Sequence, residues 1–430
     1  MRWFLWLCGL SSLALAQDVS APEWTEARVL ETFSRSSLGA SLDARMAAIE
    51  AQGRGRALWA NPSVNWSREG AGYTEFLQLE QALPITGRLR LLREAGRAAT
   101  EVAGASRELA LWDARSTLRL AFYQLLAGQQ RQASITQTIQ TLEDVAKILR
   151  VREKEGEGSR YDRLRADREM VQLHADLRLA EAQVAQLRAQ VNAFLPTPLV
   201  GRAAGKLDDA TAKLDAEAVA AQAMMARAEL RVLDRTVAAL KLEEQAAYKL
   251  RLPEPTLSAG MKRANVGTEP VGLLIDPVRG GTILPFPTVT AVGSQRQIND
   301  TSFVVGLSVP LPTFNKGQFE VARFTSEQRA AISQRQLVSQ RIRAEVAGAV
   351  ETWQIRRAAL DAYRAEQQQT GGELLRIARV AYQEGELGIL ELLDAIRVER
   401  QALLRLVDLE AAVKEARIEI DRVVGAEVQP

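Results

Sequence analysis

The sequence predicts a mainly α protein with a smaller transmembrane β part, built by internal duplication. Three observations lead there. Of 430 residues, 47% are apolar, 25% charged and only 5% aromatic, with Ala, Leu, Arg, Glu and Gln abundant, a composition that favours long helices over sandwiches. The chain also repeats itself. LPITGRLRLLREAGRAA from Leu83 returns as LPTFNKGQFEVARFTSEQRAA from Leu311, and EGEGSRYDRLRA (Glu155–Ala166) returns as EGELGILELLDA (Glu384–Ala395), at an offset of 228 to 230 residues. Finally, the apolar period changes from helical to two ahead of each long helical pattern.

Residues 1–16 carry Arg2, an apolar core and the small-x-small Ala14-Leu15-Ala16, the order of a secretory signal peptide; a buried N-terminal helix is the alternative. The only cysteine, Cys8, lies inside this stretch, too early for a lipoprotein's acylated residue, so neither lipid attachment nor thiol chemistry is expected. Residues 17–56 read as an N-terminal helical segment. Residues 57–84 read as a first strand pair, Trp59–Trp66 and Tyr73–Leu79, turning at Arg68–Gly72.

Residues 85–197 form the first long helical hairpin, its tip near 156–162. Its first helix, about Leu89 to Glu153, would extend about 100 Å at 1.5 Å per residue. Ile135, Ile139, Leu142, Val145 and Leu149 give it a narrow apolar stripe, so it must pack sideways against partners. After the glycines, Met170, Leu173, Leu177, Ala180, Val184, Leu187, Val191 and Phe194 step by three and four, as in a coiled-coil seam.

Residues 198–253 read as a linker and a returning helix. Residues 254–312 read as the second strand pair, with a long external loop over Asn265–Asp300, rich in Gly, Pro and Thr. In its last strand Phe303, Val305, Leu307, Val309 and Leu311 share one face. Such alternation suits a membrane barrel, although a half-buried strand of a soluble sheet alternates identically. No exported segment offers 18 unbroken apolar residues for a helical span. Four strands cannot close a barrel, so oligomerisation would have to complete it.

Residues 313–425 repeat the long hairpin. The helix runs from about Gln318 to Gln383, with a bend expected at Gly371-Gly372. The tip falls near 385–391. Ala402, Leu406, Leu409, Val413, Ala416, Ile420 and Val423 keep the phase of the first seam, and 426–430 is a tail.

A signal peptide followed by two halves, each with a strand pair, a full-length helix, a glycine turn and a shorter coiled-coil helix, resembles the TolC family of outer-membrane efflux channels. The residues that carry the resemblance are Leu83-Pro84 to Gly87, Leu311-Pro312 to Gly317, Gly156 to Asp162 and Tyr382 to Asp394. It implies a homotrimer in the outer-membrane lipid, with a shared 12-stranded β-barrel, four strands per subunit, and a trimeric helical α-barrel in the periplasm. It implies an exit duct serving an inner-membrane efflux transporter through a periplasmic adaptor. It further implies that Gly156, Gly158, Gly385 and Gly388 form the tip turns where the adaptor docks, and that Asp162, Tyr382, Glu391 and Asp394 form the periplasmic gate. Leu387 and Tyr161 depart from the family's latch pattern.

Glu391 and Asp394 lie three apart, hence on one helix face, and a trimer would bring six carboxylates to one constriction. The plainer reading is a pair of solvated helix charges. Arg160, Arg163 and Arg165 are candidate gate partners, one of them expected to pair with Glu391 or Asp394.

Other functions find little material. Formal net charge is +2, from 55 basic and 53 acidic residues interleaved along the chain, so no nucleic-acid footprint is expected. His174 is the only histidine, and no catalytic residue, cofactor or metal site is expected. The alternatives are a structural periplasmic coiled coil, which leaves the strand pairs idle, and an exit duct for type I protein secretion.

Overall fold

The computed structural model describes residues 23–70, 74–156, 159–207, 214–268, 272–279, 282–292, 296–370 and 372–428, with the backbone alone over 265–299. The expected signal peptide with Cys8, and Gly158 of the first tip, lie outside the described residues. The elements run β1 (Glu23–Trp24), α1 (Glu26–Ser34), α2 (Ser37–Arg56), β2 (Ser63–Glu69), β3 (Thr74–Ala82), α3 (Arg88–Glu155), α4 (Arg160–Asn192) and β4 (Arg202–Ala203). They continue α5 (Ala216–Ala226), α6 (Ala228–Tyr248), β5 (Thr256–Thr268), β6 (Gly272–Arg279), β7 (Thr282–Val292), β8 (Arg296–Ser308), α7 (Gln318–Thr370), α8 (Glu373–Gln383) and α9 (Ile389–Val424). Two compact units result, one of Met1–Arg45, Gly104–Val232 and Arg335–Pro430, the other of Met46–Ala103 and Leu233–Gln334.

The first unit is helical except for β1, which pairs parallel with β4. The N-terminal segment therefore starts as a strand, and the returning segment holds β4 and two helices, parted where Arg227 leaves helical geometry at ψ 115°. Four helices bury one another's stripes. Ile135, Ile139, Leu142, Val145 and Leu149 of α3 meet Leu173 of α4, Tyr382 of α8, and Leu392 and Ile396 of α9. A second cluster gathers Leu118, Phe122 and Leu125 of α3, Val29 and Phe33 of α1, Val191 of α4 and Ile418 of α9. Burying such side chains contributes about 1.5–3 kcal/mol each, and this packing of amphipathic faces, more than propensity, holds the helices.

Along the α4 seam Leu173, Val184 and Val191 are buried, and Met170, Leu177, Ala180, Leu187 and Phe194 pack partly covered. In α9 the seam residues Val413, Ala416, Ile420 and Val423 are joined in burial by Val407, Ala411, Ile418 and Val424, so its second half packs on more than one side. The expected continuous helix over 318–383 is interrupted. Gly372 takes a left-handed φ of 71° and heads α8, with its N–H 3.3 Å from the Glu399 carboxylate. Gly371 lies outside the described residues.

A buried polar network ties α1, α3 and α9. Arg119 donates to Glu26 and, at 3.0 Å, to Asp421; Tyr123 donates to Glu26 at 2.6 Å. Lys414 sits 4.4 Å from the Tyr123 ring centroid, and Asp421 also accepts the Val428 N–H at 3.0 Å. Burial pushes the Glu26 carboxyl up, but the Tyr123 hydroxyl and the Arg119 guanidinium outweigh it and hold the group below the usual carboxylate range. A depressed folded-state value means stability that is present above the ordinary carboxylate pKa and lost as pH falls through the lowered one. We therefore expect the thermal midpoint to fall on acidification below about pH 4.5, and a Glu26→Gln variant to show a shallower fall in the same titration.

In the second unit β2, β3, β5 and β8 form one antiparallel sheet in that order. Over the described residues of the loop expected at Asn265–Asp300 the chain is instead strand: β5 and β8 stay paired out to Thr268 and Arg296, and β6 and β7 pair with each other. Gly, Pro and Thr suggested a loop, but the prolines are tolerated because a two-stranded ribbon has two free edges. Pro277 falls at the register shift between Asp276 and Val278, where no ladder donor is needed.

Candidate functional site

The two tips lie side by side in the first unit. At the first, Gly156 takes φ 79° beyond the end of α3, and its N–H reaches the Glu153 carbonyl at 3.2 Å. Ser159 then caps α4, its hydroxyl accepting from the Tyr161 N–H at 3.1 Å, and Asp162 in the first turn complements the helix dipole. At the second, Gly385 also has φ 79°. Its N–H bonds the Tyr382 carbonyl at 3.2 Å while Glu386 N–H bonds Ala381 at 2.8 Å, the two bonds of a Schellman ending. Gly388 differs: it is extended, φ −82°, and serves as the N-cap of α9. A side chain at Gly385 would be forced left-handed, so Gly385→Ala is expected to cost about 1–2 kcal/mol and Gly385→Asn less, both read from thermal unfolding.

Arg152 joins the tips. From α3 it donates to the Gln383 carbonyl at 2.8 Å and the Tyr382 carbonyl at 3.4 Å, and its guanidinium lies 5.4 Å from the Tyr382 ring centroid. A cation there satisfies the orphan carbonyls and the negative end of α8. Tyr382 itself is 7% exposed. Burial, then the nearby Asp162 charge, raises its phenol above the ordinary value, although Arg152 works the other way.

The expected pairing of Arg160, Arg163 or Arg165 with Glu391 or Asp394 is not what the chain makes. Arg163 is held by Glu153 and, at 2.9 Å, by Asp167, and Arg165 donates to the Tyr161 hydroxyl at 2.9 Å. Near carboxylates on α3 and α4 outcompete those of α9. Arg160 opens α4. Glu391 folds back over its own helix start, its carboxylate oxygen 2.9 Å from where a Gly388 Cβ would sit. Glu391 and Asp394 are both exposed, while Leu392, Leu393, Ala395 and Ile396 face the core. The ion pairs that join α4 to α9 are Glu169 with Arg397 and Asp176 with Arg400, the latter at 2.7 Å. Sequence reading missed these. Arg397 lowers the Glu169 carboxyl through its hydrogen bonds.

The second unit carries the other candidate surface. Register places Trp66, Leu77, Met261 and Phe303 in one cross-strand row, and Val64, Leu79, Ala259 and Val305 in the next. Successive side chains alternate faces, so both rows share one face with Leu257 and Leu307. That face is bare: Phe303 is 86% and Val305 75% exposed, and the other large side chains in the rows are exposed too. The opposite face is mixed, with Ser67, Phe76, Lys262 and Ser302 in one row and Asn65, Gln78, Gly260 and Val304 in another. A contiguous apolar sheet face of this kind is a membrane or protein contact. No described helix is long and apolar enough to cross a membrane.

Residues 219–426 match the family described as outer membrane efflux protein. No curated protein matches in sequence. Among solved structures, the outer-membrane channel OprN is 19% identical, with a TM-score of 0.70 over 93% of this chain and 90% of that one. The CmeC outer membrane channel of Campylobacter jejuni is 13% identical, with a TM-score of 0.71 over 93% and 85%. The open-state MtrE outer membrane channel of Neisseria gonorrhoeae is 17% identical, with a TM-score of 0.68 over 94% and 89%. Each of these three is described as an outer-membrane channel. The family match thus covers residues 219–426, and the fold of these channels spans 93% of the chain.

Proposed function

We propose that the chain is the passive exit duct of a tripartite efflux pump: a homotrimer whose sheets close one 12-stranded barrel, gated at its helical tips and coupled through a periplasmic adaptor to an inner-membrane transporter. One observation carries this reading. The sheet has an apolar face and two open edges, β2 and β8, and open edges are not tolerated in hydrocarbon because each unpaired backbone group costs several kcal/mol. Three copies joined β2 to β8 remove every edge. The helices support the same assembly. Leu374, Ile377 and Val380 of α8 and Tyr161, Leu164 and Val171 of α4 are exposed apolar residues opposite their buried stripes, a second seam for neighbouring copies or an adaptor helix.

A duct needs no chemistry of its own; the transporter supplies the energy and the cargo choice. Gating is a matter of helix ends. Arg152 and the Glu169–Arg397 pair hold the two hairpins together within one chain and Arg163 braces the first tip, while exposed Glu391 and Asp394 are left to act on the passage. Purified protein in a planar bilayer should form cation-preferring pores. Glu391→Gln with Asp394→Asn should lower the cation-to-anion permeability ratio; an unchanged ratio would remove these acids from the passage. A purely structural coiled coil would give no conductance. A protein-secretion duct shares this architecture, and cargo-transport assays with the cognate transporter separate the two.

A further inference from the structure

We infer that the helix side of the sheet carries a cationic collar that binds anionic phospholipid headgroups of the periplasmic leaflet, formed by Arg88, Arg90, Arg93, Lys316 and Arg323. The inference rests on the reading that the apolar sheet face meets lipid.

Position comes first. Leu83 N–H bonds the Pro255 carbonyl at 2.8 Å, just before β5, and Thr86 donates to Glu254 at 2.8 Å, so α3 begins within a few residues of the strand ends. The start of α7 is equally pinned: a Cβ on Gly317 would lie 2.7 Å from the Ala247 carbonyl and 2.9 Å from Leu250. Ile85 and Phe314 stand between the strands and these helix starts, Trp59 stands just before β2 and Phe319 in the first turn of α7, all exposed, Phe314 by 94%. Bare aromatics bordering an apolar band mark a membrane–water interface, and the cations lie among them and in the first turns beyond.

Charge order is the second observation. A helix prefers acids in its first turn, each favourable by about 0.3–1 kcal/mol, yet the first turn of α3 has no acid and carries Arg88 and Arg90. Ion pairs on helices prefer the acid N-terminal to the base. Here both helices reverse that: Arg90 precedes Glu94 at 3.8 Å, and Arg323 precedes Glu327 at 3.7 Å, with all four side chains well exposed. Such pairs are loose and contribute little. In α7 the first turn does hold Glu320, so the reversal there rests on Arg323 and on Lys316 just before the helix. In α3 the cations thus lie towards the strands and the acid one turn further away, and α7 adds Lys316 on the strand side of its first-turn Glu320. Base-before-acid pairs also occur at Arg163–Asp167, Arg341–Glu345 and Arg357–Asp361 in the helical unit. What sets the sheet end apart is therefore the acid-free, doubly cationic first turn of α3 beside Lys316, which helix stability does not ask for and an anionic headgroup plane does.

Tryptophan quenching tests it. Trp59 and Trp66 are exposed in the sheet unit, whereas Trp24, Trp112 and Trp353 belong to the helical unit. The protein is reconstituted in vesicles in which either phosphatidylglycerol or phosphatidylethanolamine carries brominated chains. Stronger quenching by the brominated phosphatidylglycerol is expected, reduced by added salt and by Arg90→Gln/Arg93→Gln/Lys316→Gln/Arg323→Gln, with about fivefold lost in relative binding for each cation that meets a headgroup. Equal quenching by the two lipids overturns the collar and leaves the lipid-facing sheet standing. No quenching by either overturns both. Should the fourfold variant fail to assemble, the salt titration of the unaltered protein decides: a phosphatidylglycerol preference that salt does not weaken overturns the collar.

Discussion

Asp421→Ala is expected to cost about 3–5 kcal/mol, the largest loss expected of any single substitution named, because it removes one partner of a buried charge network and leaves the others in place. Asp421 is 3% exposed and is bonded to Arg119 and to the Val428 N–H, with Arg417 at 3.9 Å. Arg119 would keep Glu26, but Arg417 and the Val428 N–H would lose their carboxylate in a region closed to water. The loss should appear as a lower thermal midpoint of the detergent-solubilised protein. A paired Arg119→Met/Asp421→Leu replacement should be less damaging than the two single changes summed, since an apolar pair leaves fewer stranded charges. Strict additivity would show that the residues do not act as a unit.

Val305→Arg is expected to cost about 2–4 kcal/mol of folding free energy in lipid, the penalty for a cation facing hydrocarbon near mid-bilayer. Ser302→Arg should be better tolerated, because Ser302 lies on the other, mixed face, in a row with Ser67, Phe76 and Lys262. Urea titrations of vesicle-reconstituted protein compare them. Equal effects of the two substitutions would mean that both faces see the same medium.

The long helices were readable from the sequence because their signal is local and repeated: the three-four steps from Met170 to Phe194 leave no other period. The tips were readable for a related reason, since Gly156 and Gly385 are the residues that can turn left-handed where a helix must end. What escaped depends on contacts far apart in sequence. Asn265–Asp300 has loop composition, and only pairing between β5 and β8 and between β6 and β7 makes strands of it. Arg163 looked available to α9, yet Glu153 and Asp167 were nearer. The Glu26–Arg119–Asp421 network joins residues up to 302 positions apart with no spacing rule. Its one sequence-level trace is a set of charged residues on otherwise apolar helix faces.

The central claim, three chains closing one barrel through the free edges of β2 and β8, is tested most directly by cross-linking. Ser67 and Ser302 lie in one row at opposite ends of the sheet, about 14 Å apart at the usual strand spacing. Cys8, the only native cysteine, falls in the expected signal peptide. A Ser67→Cys/Ser302→Cys variant in native outer membranes, treated with a short bismaleimide, should give a denaturing-gel ladder of one, two and three chains that stops at three. A ladder that continues beyond three, or monomer alone under complete labelling, would contradict the shared barrel.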